Sequence, residues 1–122
     1  MFDHYILDKN RMAVPVDAMT WGHWFEKASR SRERMVAQEE IGETYYVSTV
    51  FLGLDHSFGS NADPMLFEAM IFISADWSEH HMSEIWMARC GTWDDAIDMH
   101  ERAVAHAQKL LRQLPVIVEE RS

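Results

Sequence analysis

The sequence predicts an α+β fold: a two-layer sandwich in which an antiparallel β-meander carries one long C-terminal helix and one short helix. Three observations lead there. Four β-branched or apolar runs follow one another after residue 34 with only short polar interruptions, as in a meander. The last third shows apolar residues at helical spacing over about six turns. The length of 122 residues suits one domain, expected to span 1–122.

The elements follow in order. Tyr5 to Val16 reads as two short strands around the turn-forming Asp8-Lys9-Asn10, with Pro15 confining the second to an edge or an end. Asp17 is placed to cap a helix from about 18 to 30, whose apolar stripe is Ala18, Trp21, Phe25 and Ala28, widened by Trp24. Strands are expected at 34–41, 44–54, 65–73 and 84–90. Gly42-Glu43 forms the hairpin turn between the first two, and 44–54 is the central strand. Thr92 opens the long helix with Asp95 three residues on, as in a capping box. Trp93, Ile97, His100, Val104, Ala107, Leu111 and Leu114 form its predicted core stripe, and Pro115 stops it.

Composition narrows the function. With 48% hydrophobic and 25% charged residues, the chain is globular and not disordered. A single cysteine, Cys90, excludes an internal disulfide and any CxxC metal spacing, which fits a reducing compartment. The N-terminus has no basic, apolar signal-peptide pattern, and no window approaches 18 uncharged apolar residues, so a cytoplasmic protein is expected. The net charge of −9 argues against direct binding to nucleic acid or to anionic membrane, and favours basic partners.

That charge is unevenly spread. From Met35 through Ala88 there are nine acids and no Lys or Arg, directly after the basic cluster Lys27, Arg30, Arg32 and Arg34. Glu39, Glu40, Glu43, Asp63, Asp76 and Glu79 are the candidate partner-binding acids. Turns at the same end of a meander lie together, so part of this set is expected to merge into one negative patch.

Two segments and two shorter pieces carry a resemblance: Val47-Ser-Thr-Val-Phe-Leu-Gly-Leu-Asp-His56, Pro64-Met-Leu-Phe-Glu-Ala-Met-Ile-Phe72, Gly91-Thr-Trp-Asp-Asp-Ala96 and Pro15-Val-Asp17. From about Tyr5 to Val104 the chain resembles a group of small uncharacterised proteins of bacteriophages and prophages. It differs mildly at Ala69 and Ile71, where polar Thr and Val are usual, and in a less Gly-rich loop at 57–63. The resemblance implies a phage or prophage origin in bacterial cytoplasm. It implies no reaction.

Few residues suggest chemistry. His56, Asp55, Glu68 and His80 are the candidate metal ligands, but they lack any HxH, HExxH or HxxxH spacing. The alternative places Asp55 in an Asx-turn and Glu68 on a strand face. Covered by the short helix, Glu68 would need a cationic partner, for which an Arg from 30–34 is the candidate; left uncovered, its sheet face with Leu66, Met70 and Phe72 would be an exposed apolar patch that marks a binding face. Cys90 reads as a small buried hydrophobe and His100 as a core histidine. No nucleophile elbow or phosphate-binding loop is present, and no cofactor is expected. The first expectation is a non-enzymatic interaction protein that docks on a basic surface of a bacterial host protein or complex. Its most concrete form inhibits a nucleic-acid-processing defence complex, as anti-CRISPR proteins do. The alternatives are a self-associating phage accessory or structural protein (a homodimer) and a metal-dependent enzyme using the His/Asp/Glu cluster.

Overall fold

The computed structural model describes residues 3–57, 63–74 and 84–114. Its element order is β1 (His4–Leu7), β2 (Ala13–Val16), α1 (Ala18–Ser31), β3 (Met35–Ile41), β4 (Tyr45–Phe51), β5 (Phe67–Ile73), β6 (Glu84–Cys90) and α2 (Trp93–Gln113). Strands β3-β4-β5-β6 form a four-stranded antiparallel meander with α2 packed on one face, the α+β arrangement the sequence predicts. β1 and β2 form a separate two-stranded sheet.

Local chemistry sets the boundaries. The Asp8 carboxylate accepts from the backbone N–H of Asn10 at 2.7 Å and Met12 at 3.0 Å, which closes the β1–β2 loop. Asp17 accepts from Thr20 N–H at 2.7 Å and caps α1. α1 ends at Arg32 in the left-handed region, φ 65°, with its N–H bonded back to Ala28. Thr92 Oγ1 accepts from Asp95 N–H at 3.1 Å and starts α2.

The central strand is shorter than 44–54. Gly53 takes φ 75°, and a Cβ there would meet Trp21 Nε1 at 2.6 Å, so only glycine fits. The chain kinks at this point. Gly53 O then accepts from Tyr5 N–H at 2.8 Å, which ties the β1–β2 hairpin to the end of β4, and Leu52 N–H reaches Leu66 O at 2.7 Å.

The core lies between the helix-facing side of the sheet and α2. Val47, Thr49, Phe51, Phe67, Ala69 and Ile71 are fully buried. On α2 the buried residues are Ala96, Met99, His100, Ala103 and Ala107. The predicted stripe is thus corrected by a rotation of the helix. His100 and Ala107 keep their place, Trp93, Val104 and Leu111 move to half-buried flanks, and Ile97 and Leu114 are exposed. Three alanines facing the sheet let the helix backbone approach closely, and the bulkier side chains then pack beside the contact line instead of under it.

Candidate interaction surface

The β3–β4 hairpin ends in a loop whose Gly42, at φ 61°, supplies the left-handed turn residue. Glu39, Glu40 and Glu43 are all exposed around it. Strand alternation divides the first two. Glu39 pairs in register with buried Val47 and lies on the helix side, while Glu40 pairs with Tyr46 and lies on the opposite side. Glu43 projects from the loop between them.

Three arginines of the basic cluster that precedes this hairpin are bonded to other groups. Arg34 is half-buried, donates from Nε to Phe51 O at 3.0 Å and from Nη1 to Ser29 Oγ at 3.2 Å, and stacks 3.8 Å from the centre of the Phe25 ring. Arg32 donates to Gln38 Oε1 at 3.2 Å, and Gln38 in turn donates to Ser48 Oγ at 3.2 Å. Arg30 faces Glu26 within α1 at 3.6 Å. Among the described residues no Lys or Arg pairs with Glu39, Glu40 or Glu43. Among the described residues the hairpin carboxylates are thus not ion-paired with a Lys or Arg.

The remaining candidate acids do not all join it. The meander puts the β3–β4 turn at the Ile73 end of β5 and Asp63 at the Phe67 end, so Asp63 sits at the opposite end of the sheet. There it lines a cleft with Asp94 and Asp95 of the first turn of α2. Asp76 and Glu79 lie outside the described residues.

Two of the candidate metal ligands, Asp55 and His56, make local hydrogen bonds. Asp55 accepts from Ser57 N–H at 2.8 Å, Ser57 Oγ at 2.9 Å and Met65 N–H at 3.1 Å, an Asx-turn that also pins the start of β5. Burial pushes its pKa up, but the bonds from Ser57 and Met65 outweigh burial and hold it below the ordinary carboxylate value. His56 Nδ1 hydrogen-bonds Leu54 O at 2.8 Å. His80 lies outside the described residues. Among the described residues no three His, Cys, Asp or Glu side chains gather as a metal site.

Glu68 is buried and paired, but not with the 30–34 cluster. Its Oε2 accepts from Arg89 Nε at 2.9 Å, and Arg89 is its register partner on β6. α1 packs instead against β1, with Trp24 edge-on to Phe51. Burial raises the Cys90 thiol above its ordinary pKa, so it is no ready thiolate.

One constellation has no signature in the sequence. Thr49 Oγ1 and His100 Nδ1 are 2.7 Å apart in the core, and His100 Nε2 lies 3.6 Å from Glu39 Oε1. Hydroxyl, imidazole and carboxylate stand in a row as in a catalytic triad. Thr49 is fully buried and His100 is 4% exposed, so no substrate atom reaches either. The row joins the acidic hairpin to the core. No family model, curated protein or solved structure matches this chain. Among the described residues no helix is long and apolar enough to cross a membrane.

Proposed function

We propose that this protein is a non-enzymatic interaction protein that docks on a basic surface of a bacterial host protein. Its concrete form is the inhibition of a nucleic-acid-processing defence complex by filling the basic channel meant for nucleic acid. The observation that carries the reading is the β3–β4 hairpin: three exposed carboxylates whose neighbouring arginines are bonded to other groups. A surface of this kind steers a cationic partner into register and raises its association rate. The phage-like segments supply the host context.

The test is capture from bacterial lysate by tagged wild type and by Glu40→Lys/Glu43→Lys. Glu39 is left unchanged because it touches His100. The expected result is one or more basic proteins retained by wild type, released by salt, and lost in the double variant. A partner held equally by both proteins at low salt removes the hairpin from the interface.

A second reading has its own observation. Ile85 and Met87 on β6 are 43% and 40% exposed on a strand that has no outer neighbour among the described residues. Such an edge suits self-association, and sedimentation over a concentration series separates a dimer from a monomer.

A further inference from the structure

At the end of the sheet away from the acidic hairpin, a cleft of about 910 Å³ opens between the β1–β2 loop, residues 63–66 and the first turn of α2. That volume falls within the range of sites that hold a small molecule or a peptide side-chain cluster. Its mouth is unusual in two respects. Met12 and Ile97, both lining it, are 62% and 41% exposed, and the Trp93 ring forms part of its wall. Single exposed apolar residues are ordinary on a protein surface; two at the mouth of one cleft gather apolar area where a partner can cover it.

The second respect is charge. Asp63, Asp94 and Asp95 line the same cleft and are exposed. Two guanidinium groups also reach it, but each is engaged. Arg89 holds Glu68 at 2.9 Å, and Arg11 lies over the Trp93 ring, 4.5 Å from its centre. Arg89 is balanced by Glu68, which leaves three carboxylates against the one guanidinium of Arg11, a net negative rim. Apolar wall plus acidic rim complements a side chain or segment that is both aliphatic and cationic, and repels phosphate or an acidic peptide.

We infer that this cleft binds a short segment of a protein partner in which Lys or Arg alternates with aliphatic residues. The aliphatic side chains lie against Met12 and Ile97, and the cations face Asp63, Asp94 and Asp95. The assignment rests on the reading of the protein as a binder of basic partners, and it adds a second contact separate from the hairpin.

The probe is a synthetic acetylated hexapeptide amide, Leu-Arg-Leu-Lys-Leu-Arg, titrated by calorimetry and by methionine-methyl NMR. The comparison peptide carries Glu at each cationic position. The expected result is binding of the cationic peptide with a shift of the Met12 methyl. Affinity should fall at least about tenfold in Met12→Lys and in Ile97→Lys, at unchanged melting temperature, and likewise for the Glu peptide. Asp63→Asn/Asp94→Asn should weaken binding and flatten its salt dependence. In Glu40→Lys/Glu43→Lys the peptide should bind within about twofold of wild type, since the hairpin lies at the far end of the sheet. Three outcomes overturn the inference: no binding of the cationic peptide, equal binding by the Met12 and Ile97 variants, or loss only in the hairpin variant. The last leaves the hairpin reading standing, just as lysate capture that fails while the peptide still binds leaves the cleft standing.

Discussion

Thr49 and His100 hold each other in place, and each explains the other's presence in an apolar core. A buried imidazole needs a partner, and the hydroxyl at 2.7 Å supplies one. Thr49→Val keeps the shape but leaves Nδ1 without its hydrogen bond, and Nε2 makes none of its own, having only Glu39 Oε1 at 3.6 Å. The expected cost is about 1–3 kcal/mol in urea unfolding. Ser48→Ala, on the half-buried face, should cost under about 1 kcal/mol. Equal costs for the two would show that the core pair carries no special weight. The histidine was legible in the sequence as a core residue because it falls on the apolar stripe. Its partner was not, because the two are 51 residues apart and only tertiary packing brings them together. Glu68 teaches the same lesson. Its need for a cation follows from an acid inside an apolar strand, yet the choice of Arg89 is fixed by β5–β6 register, which no local pattern reveals. Asp55 makes a pH prediction. Its carboxyl is held below the ordinary value, so its contribution to stability is complete above the unfolded pKa of about 4. The contribution is lost as pH falls below that, through the folded value. Asp55→Ala should remove this acid-limb dependence along with the Ser57 and Met65 bonds, and the stability difference from wild type should shrink as the pH falls from 6 to 3. A difference that stays constant over that range contradicts the assignment.

At the scale of elements, caps, turns and strand order were readable because each depends on neighbours in sequence. Asp17, Thr92 and the Asp8 turn all sit where their side chains bond the expected backbone groups. The rotation of α2 was not readable, because a periodic count weighs large apolar residues and passes over alanine. Ala96, Ala103 and Ala107 are fully buried, so the helix contacts the sheet through its smallest side chains. The two stripes give opposite predictions. Ala103→Leu should push the helix away from the sheet and cost about 1–3 kcal/mol. Ile97→Ala should cost far less than the 2–5 kcal/mol typical of a buried isoleucine. Chemical denaturation of both variants decides the matter, and a costly Ile97→Ala beside a neutral Ala103→Leu would restore the stripe read from periodicity. The end of β4 follows similar logic. A run of strand-forming residues hid the break at Gly53, which is made by the close approach of Trp21 from another element.

For the whole molecule the uneven charge was legible, and its division between two ends was not, since that depends on which loops share an end of the meander. Seven residues of β5 separate the ends, about 20 Å at strand rise. The Debye length at physiological salt is about 8 Å, so the ends act independently there and merge into one field only at low ionic strength. Exposed charge acts mainly on encounter, and contact chemistry mainly on dissociation. Glu40→Lys/Glu43→Lys takes the net charge from −9 to −5, each substitution adding two units. Neither residue forms an ion pair among the described residues, so unfolding should be nearly unchanged. Against a captured basic partner, the association rate should fall about tenfold or more at low salt. It should approach the wild-type rate near 0.5 M salt, where the Debye length is about 4 Å. Dissociation should change less than association. Surface-plasmon kinetics over a salt series reads both rates. A double variant that associates as fast as wild type at low salt would make the hairpin charge a solubility feature.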